Sequence, residues 1–405
     1  MKTWNVLRYL ERRGHEIHLA SFVRLEEQAH LGPLLDLCAS VSTVPIRRSR
    51  PADLLAWMRS YVSRRPFLVE RDDVKAMTEL AHRIVASRGI QTIHADQLTM
   101  AQFALGANGV SRASGDNPQL IFDAHNAVWT IVERYARNAP PLMRLLIRIE
   151  ARKVRQYEGN LLREFDRTLV VSEADRTALL QAVNGGSNGA KPTDGQIASR
   201  ISVTPIGIDT TEIRPSNANP ETSNILALGS LNYPPNADGI RWFANEVFPR
   251  VKHGQSEAAL TIVGRNPPRA IRNLGERDGH SITVTGYVPD LQPYFDRAAL
   301  LVVPVRAGGG MRVRILEGFA RGMPMVTTTI GLEGIEATPG QEILVADEAS
   351  EFANAVLALL RDGRLRKSLA ENGRRLVERK YDWRRALTPL DEVYSVEAMG
   401  ARAAT

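Results

Sequence analysis

Short apolar segments alternate with segments of helical periodicity along the second half of the 405-residue chain. The strand-like segments are 224–228, 259–263, 281–285, 299–303, 324–327 and 343–345. Apolar residues recur at helical spacing in the segments 237–250, 290–297, 312–322, 350–361 and 363–379. Strands that alternate with helices pair in parallel through right-handed crossovers. The pattern therefore predicts an α/β fold with a doubly wound parallel sheet.

The first half repeats this alternation, with strands predicted at 15–22, 90–94, 119–123, 167–171 and 201–204 and helices at 4–13 and 141–165. A chain of this length is too long for one ordinary core, and the Gly- and Asn-rich segment 184–196 predicts a flexible excursion near a boundary. We expect two Rossmann-like domains, at 1–200 and 201–383, with a final helix at 384–405 that packs back on the first. Because ligands bind beyond the carboxyl ends of such strands, the active site is expected in the cleft between the domains.

The composition narrows the classes of protein to consider. No apolar run is long enough to span a membrane, and no secretory leader opens the sequence. The single cysteine, Cys38, excludes a disulfide framework, predicts a buried thiol and fits a reducing cytoplasm. Residues 1–200 hold 28 Lys and Arg against 21 Asp and Glu, which accounts for the net charge of +7. This half either faces an anionic partner or simply has a basic surface.

A glycine-rich turn in the second half has the composition of an anion site. A buried strand ends at Pro304, the turn Gly308–Gly310 follows, and a helix then opens with Arg312 and Arg314, with Glu317 one turn further. Glycines let backbone N–H groups approach a ligand closely, and the start of a helix favours a phosphate. Two arginines add donors for a diphosphate. The alternative is a surface loop with a structural ion pair.

The motifs around this turn resemble the family-4 retaining glycosyltransferases. A glutamate on a helix is followed by a small residue, Gly, x-Pro and an apolar strand, here Glu317 to Thr327. Other segments that resemble family motifs are Pro205–Asp209, Leu228–Ser230 with Pro235-Asn236, Val263–Arg265, Gly286–Leu291 and Gly331–Gly334. Their order covers nearly the whole chain. The resemblance implies a GT-B fold and transfer of a hexose-type sugar from a nucleotide diphosphate sugar, which is a substrate and not a cofactor.

The resemblance also assigns parts of the donor site. Glu317 matches the second glutamate of the family's Glu-x7-Glu motif, which holds the donor ribose, whereas the first falls at Gly309 and is absent. The backbone amides of Gly309, Gly310 and Met311 would then hold the sugar hydroxyls. This departure from the family pattern leaves the identity of the sugar open.

The diphosphate clamp departs from the family pattern as well. The loop after the first donor-domain strand, Gly229 to Asn236, contains no basic residue. We assign the clamp to Arg312 and Arg314, with Arg265 as a weaker candidate. The other residues expected to line the donor site are Gly229, Tyr287, Val288 and Gly308.

In the first domain, the segment 122–126 (FDAHN) follows a predicted strand. The resemblance implies that His125 faces the donor sugar across the cleft, and we expect catalytic roles for His125, Glu317 and Arg312. The alternative for His125 is a capped structural histidine. His94 and Asp96 follow the strand 90–94 and could also line the cleft.

The expected mechanism needs neither a metal nor a cofactor. The sequence has no Asp-x-Asp and no cluster of His, Cys and Asp at ligand spacing, so positive side chains and a helix terminus would stabilise the departing diphosphate. The resemblance implies retention of the anomeric configuration. The alternatives are a non-catalytic relative that binds nucleotide sugars and a GT-B-type sugar-nucleotide epimerase. A nucleic-acid partner is not expected, because no basic surface interleaved with aromatic residues is found.

The start of the sequence departs from the family pattern. Relatives open with a strand, a Gly/Pro-rich loop and a helix that runs into Gly-His-Glu-Val, whereas this chain reaches Gly14-His15-Glu16-Ile17 almost at once. We therefore expect that the sequence lacks the first βα turn. Such a strand is normally buried on both faces inside the first sheet.

The acceptor is expected to be a saccharide or a lipid-linked glycan, as in polysaccharide assembly. The helix 141–165 carries Arg and Lys among leucines and isoleucines, a pattern typical of helices on anionic membranes. A peripheral contact with the inner membrane face is one reading, and a core helix with a solvated basic face is the other. Ser172 is expected to cap a helix, and Tyr381 and Trp383 are expected to be packing anchors.

Overall fold

The computed structural model describes residues 2–137, 139–183, 194–216, 223–277 and 281–395. The chain divides into two compact units: unit 1 contains residues 1–205 and 387–405, and unit 2 contains residues 206–386. The boundaries expected from the sequence, at 200/201 and 383/384, lie five and three residues from these.

The described residues of unit 1 contain six strands, and helices lie between them along the sequence. The strands are β1 (His18–Val23), β2 (Ser40–Pro45), β3 (Thr92–Asp96), β4 (Gln119–Ala124), β5 (Arg167–Val170) and β6 (Ile201–Val203). The helices are α1 (Lys2–Arg12), α2 (Gly32–Leu37), α3 (Arg50–Ser63), α4 (Phe67–Arg71), α5 (Lys75–Arg88), α6 (Ala101–Ala113), α7 (Val128–Arg137), α8 (Pro141–Glu164), α9 (Glu173–Val183) and α10 (Asp194–Ser199).

Unit 2 contains six further strands and nine helices in its described residues. The strands are β7 (Asn224–Leu228), β8 (Ala259–Val263), β9 (Ile282–Gly286), β10 (Leu300–Val303), β11 (Met325–Thr327) and β12 (Leu344–Val345). The helices are α11 (Pro234–Trp242), α12 (Phe248–Gly254), α13 (Arg269–Arg277), α14 (Gln292–Asp296), α15 (Val313–Ala320), α16 (Thr329–Leu332), α17 (Ala349–Arg361), α18 (Gly363–Leu376) and α19 (Trp383–Ala386). The last described helix, α20 (Pro389–Val393), belongs to unit 1.

The sheets of the two units differ in continuity. In unit 2 one parallel sheet has the order β12-β11-β10-β7-β8-β9, and the central strand β10 is buried along its whole length. In unit 1 two parallel sheets are separate: β1 pairs with β2, and the other has the order β3-β4-β5-β6. Every residue of β4 is buried, whereas all but the last residue of β1 are only half-buried. The predicted doubly wound parallel architecture is therefore present, but the strands of unit 1 form two separate sheets.

Several boundaries differ from the sequence expectations. Residues 194–196, expected in a flexible excursion, open α10 because Ile197 is buried in the core of unit 1; residues 184–193 lie outside the described part. The single helix expected at 237–250 is interrupted by a π turn. Pro249 has no amide hydrogen to donate, and Phe248 N donates instead to the carbonyl of Phe243, five residues back.

The return of the chain toward unit 1 is anchored by aromatic packing. Tyr381 and Trp383 are buried, as predicted, and a Cβ on Gly207 would lie 2.8 Å from the Trp383 ring. Residues 396–405, the end of the expected final helix, lie outside the described residues. Two smaller predictions are also confirmed: Cys38 is buried, and the Ser172 hydroxyl accepts from Asp175 N at the start of α9.

Candidate functional site

Three glycines join the carboxyl ends of three adjacent strands in unit 2. Gly229 N donates to Val263 O at 3.1 Å, and Gly264 N donates to Gly286 O at 2.9 Å. A Cβ on Gly264 would lie 1.9 Å from the carbonyl oxygen of Gly229. Only glycine permits this approach, so the loops after β7, β8 and β9 form one closely packed floor.

The glycine-rich turn lies next to Arg312, a residue that lines the same cavity as these loops. Gly308 and Gly310 have φ angles of +103° and +82°, the left-handed region that favours glycine. Arg312 Nη1 donates to the carbonyls of Gly309 and Gly310 at 2.5 and 2.6 Å. The sequence analysis predicted that Arg312 opens the helix. In the structure Arg312 lies before the helix, with φ −89° and ψ 87°, and α15 begins at Val313. These two hydrogen bonds stabilise the conformation of the turn.

Arg314 and Glu317 lie in the first turns of α15 and are largely desolvated. Arg314 Nη1 donates to Leu228 O at 2.7 Å, at the carboxyl end of β7. Burial, with a smaller effect of Arg312, lowers the pKa of Arg314 to about 10. Burial also raises the pKa of Glu317, opposed by the charges of Arg321 and Arg314. A desolvated arginine beside a carboxylate at a helix start favours a ligand that bears both phosphate and hydroxyl groups.

These elements enclose a cavity of about 510 Å³ in unit 2. It brings together eight of the predicted site residues: Gly229, Arg265, Tyr287, Val288, Met311, Arg312, Arg314 and Glu317. Gly308, Gly309 and Gly310 are not among its lining residues, because the turn supports Arg312 from behind. The Arg265 guanidinium lies 4.5 Å from the centre of the exposed Tyr287 ring, and both side chains line the cavity.

Nine lining residues were not among the predicted site residues, although most of them lie in the motif segments: Leu228, Ser230, Tyr233, Asn236, Val263, Gly264, Gly286, Leu291 and Val313. The loop after β7 contains no charged residue, so its residues were not selected as candidate diphosphate ligands. Its Asn236 Nδ2 donates to Ser230 O at 3.1 Å, so the loop folds over the cavity by its own contacts. The Ser-x2-Tyr-Pro-Pro-Asn run after a buried strand was the available signal.

Unit 1 carries a second polar cluster, at the carboxyl ends of β3 and β4. Asp96 and Asp123 are register partners in this pair of strands. His125 Nε2 lies 2.6 Å from Asp96 Oδ1, and Lys2 Nζ lies 2.5 Å from the buried Asp123. His94 Nδ1 lies 2.5 Å from the hydroxyl of Tyr394. Burial lowers the pKa of His94, against the raising effect of Asp123 and Asp96.

The cluster corrects one expectation from the sequence. No His, Cys and Asp cluster was expected at ligand spacing, yet ligand atoms of His94, Asp96 and Asp123 lie within 4.8 Å of one another. His94 and Asp96 both lie on β3, and Asp123 joins them through the pairing of β3 with β4. A cation already contacts the group, because the Lys2 ammonium is paired with Asp123.

Comparison with known proteins agrees with this geometry. Residues 222–362 match the family model described as glycosyl transferases group 1, a segment that contains most of unit 2 and its cavity. A curated relative, an uncharacterized 44.6 kDa protein in the cps region of Klebsiella pneumoniae, is 25% identical over 173 residues, 41% of this chain and 45% of the relative. The match thus spans less than half the length of that relative.

Solved structures match almost the whole chain. Sucrose-phosphate synthase from Thermosynechococcus elongatus superposes with a TM-score of 0.63 at 18% identity, covering 98% of this chain and 92% of its own. HepE from Anabaena, solved in complex with UDP and glucose, superposes with a TM-score of 0.63 at 13% identity, covering 97% and 95%. The chain has a GT-B fold with two Rossmann-like domains, and the matches together support a glycosyltransferase. Among the described residues, no helix is long and apolar enough to cross a membrane.

Proposed function

We propose that this protein is a retaining, metal-independent glycosyltransferase that transfers a hexose-type sugar from a nucleotide diphosphate sugar. One observation carries the proposal: within the segment that matches the group 1 model, two arginines and a carboxylate converge on one cavity beside a helix start. The acceptor is proposed to be a saccharide or a lipid-linked glycan in polysaccharide assembly.

The roles of the donor-site residues follow from charge and position. Arg314, with the N–H groups of the first residues of α15, would stabilise the negative charge that develops on the leaving diphosphate. Glu317 would accept hydrogen bonds from the vicinal hydroxyls of the ribose. Arg312 is bound to two carbonyls of the turn, so it would set the position of the amides of Gly309, Gly310 and Met311. This positive charge supplies what a divalent cation would otherwise provide.

The proposed reaction exchanges one bond for another on the same face of the sugar. The bond between the anomeric carbon and the phosphate oxygen breaks, and the acceptor oxygen bonds to that carbon. The acceptor proton passes to the departing phosphate, so no protein base is required. His125 is proposed as the catalytic histidine of unit 1, as the family resemblance implies, and its Nε2 lies 2.6 Å from Asp96 Oδ1.

A lipid-linked acceptor would explain an exposed apolar surface of unit 1. On α3, the side chains of Leu54, Leu55, Trp57, Met58, Tyr61 and Val62 are each at least 40% exposed. The start of α8 exposes Leu142, Met143 and Leu145, and Lys153 Nζ donates to Ser60 Oγ at 2.5 Å, which ties the two helices together. Exposed arginines accompany both helices: Arg50, Arg59, Arg64 and Arg148. Apolar side chains among arginines suit the surface of an anionic membrane.

Release of nucleoside diphosphate tests the proposal. The protein is incubated with UDP-, GDP- and ADP-sugars, with and without saccharide or lipid-linked acceptors. We expect release from one nucleotide class, with loss of at least about tenfold in Glu317→Ala, equivalent to about 1.4 kcal/mol of transition-state stabilisation. Glu351→Ala, an exposed glutamate on α17, is the matched control. Binding without release would favour a non-catalytic relative, and interconversion of the donor without acceptor would favour an epimerase.

A further inference from the structure

We propose that Glu158 and Asp175 are positioning residues for His125: they bind the first amides of α7 and thereby fix the short segment 125–127 that carries the histidine. The catalytic meaning of these contacts rests on the proposed function, because His125 is the proposed catalytic histidine of unit 1. The hydrogen bonds themselves lie within unit 1 and are independent of that function.

The segment that carries His125 is short and joins two well-packed elements. It connects β4, in which every residue is buried, to α7, which begins at Val128. Only residues 125–127 lie between the two elements. The place of His125 therefore depends on where α7 begins, and a small shift of the helix start would move the histidine relative to Asp96, which lies 2.6 Å from its Nε2.

The start of α7 is bound by carboxylates from two other helices. Val128 N donates to Glu158 Oε1 at 2.7 Å, and Trp129 N donates to Oε2 of the same side chain at 3.0 Å. The preceding amide, that of Ala127, donates to Asp175 Oδ1 at 2.9 Å. Amides at a helix start have no partner within the helix, and negative charge is favoured beside them. Glu158 of α8 and Asp175 of α9 supply both the acceptors and the charge.

This arrangement differs from the caps of other helices in the chain. The helices α3, α16 and α18 are each capped by the residue that precedes them, Ser49, Thr328 and Asp362. The residue before α7 is Ala127, whose side chain has no acceptor atom and cannot cap the helix. The position of the start of α7 therefore follows that of α8 and α9.

The two carboxylates are themselves held in place. Glu158 is fully buried, and a Cβ on the adjacent Gly159 would lie 2.6 Å from the carbonyl oxygen of Ala182, so α8 packs directly against α9. Ser172 Oγ donates to Asp175 Oδ2 at 2.5 Å and accepts from Asp175 N at 3.1 Å. Burial raises the pKa of Glu158 to about 8, although the two amide hydrogen bonds lower it. Burial of a carboxylate is costly, and its return here is a pair of directed hydrogen bonds that an apolar side chain could not make.

The test compares Glu158→Gln with Asp175→Asn in the full chain. Glutamine keeps the size of the side chain, but its NH2 group would face one of the two amide hydrogens and lose that bond. Asparagine can keep both bonds, because its oxygen can accept from Ala127 N while its NH2 group donates to Ser172 Oγ. We expect kcat of glycosyl transfer to fall at least about tenfold in Glu158→Gln and less in Asp175→Asn, with KM for the donor unchanged in both.

Two further measurements separate positioning from a purely structural role. The NMR signals of the His125 ring are expected to shift in Glu158→Gln, and urea unfolding gives the folded fraction at the assay temperature. The control is Glu173→Gln, at an exposed glutamate in the first turn of α9. It should change neither kcat nor the His125 signals.

Unchanged His125 signals in a folded Glu158→Gln variant would overturn the proposal, as would a loss of activity that only equals the loss of folded protein. Failure of the proposed function looks different. In that case the parent protein turns over no donor, while the His125 signals still report whether Glu158 positions the histidine.

Discussion

Both units are built on parallel sheets, but they differ in the partners of the ionisable side chains at the carboxyl ends of their strands. In unit 1 each of two carboxylates lies beside a nitrogen-bearing side chain: Asp96 beside His125, and Asp123 beside Lys2. In unit 2 Arg314 makes one hydrogen bond to a backbone carbonyl, and its nearest carboxylate, Glu317, has a pKa raised by burial. The carboxylates of unit 1 thus have partners within the unit, whereas the unit 2 cavity is lined by three arginines and one glutamate. The difference favours unit 2 over unit 1 as the place where the proposed anionic donor binds.

The largest expected effect comes from closing the floor of the unit 2 cavity. In Gly264→Val the new side chain would meet the carbonyl of Gly229, where even a Cβ would lie at 1.9 Å. We expect a loss of about 3 kcal/mol or more in the free energy of unfolding, because backbone and not a flexible side chain must move. Urea unfolding measures it.

Gly275→Ala is the matched control for this change. Gly275 lies within α13, and a Cβ there would lie 3.5 Å from the nearest atom, an ordinary contact. Alanine in a helix is favoured over glycine by about 1 kcal/mol, so the control should be neutral or stabilising. Equal destabilisation by both substitutions would contradict the close-packed floor.

The second effect concerns acid stability in unit 1. Burial opposes ionisation of Asp96, but the hydrogen bond and charge of His125 outweigh it and hold the pKa at about 2. A depressed carboxyl pKa stabilises the fold above the unfolded value of about 3.9, and this contribution of about 2 kcal/mol disappears as the pH falls to about 2. In Asp96→Asn the loss of stability between pH 4 and pH 2 should therefore be smaller. Hydrogen exchange in β3 and β4 follows it, and an unchanged acid profile would contradict the pairing.

His94 adds a pH dependence at higher pH. Because burial lowers its pKa, the folded state binds its proton less readily than the unfolded state. Stability is then full above the unfolded pKa of about 6.5 and falls as the pH drops below it. His94→Gln should flatten this part of the profile, and Gln carries no titrating group. A profile that stays as steep as in the parent protein would show that another group causes it.

The smallest effect concerns the glycine-rich turn. Gly310 has a φ of +82°, so Gly310→Ala should cost about 1–2 kcal/mol and weaken donor binding as the turn shifts. Gly309 does not have a left-handed φ, which makes Gly309→Ala the matched control with little effect on stability. Calorimetric melting of both variants provides the comparison, and indistinguishable melting temperatures would contradict the described turn.

The elements predicted best from sequence are the buried strands of unit 2. The bounds 224–228 and 259–263 agree with β7 and β8, because short, mostly apolar runs between polar residues mark strands whose residues are mostly buried. β2 was not predicted, since its SVSTVP run is polar and only half-buried. The π turn at 243–247 follows from one missing amide hydrogen and leaves no periodic signal.

The candidate sites could also be predicted from the sequence only in part. The residues of the unit 2 cavity could be named because they follow strands and cluster around one glycine-rich turn. The pairing of Asp96 with Asp123 depends on strand register, which sequence spacing does not reveal. Lys2 could not be assigned to Asp123 for the same reason, since 121 positions separate them.

Thermal unfolding with UDP, GDP, ADP and their sugars tests the central claim most directly. A ligand at about 100 times its Kd adds about 2.7 kcal/mol, which shifts Tm by several degrees in a domain of this size. The account predicts such a shift with one nucleotide class, its loss in Glu317→Ala, and its persistence in Glu351→Ala. No shift with any nucleotide, in a protein whose unit 2 melts cooperatively, would contradict the assignment of the cavity as a nucleotide-sugar site.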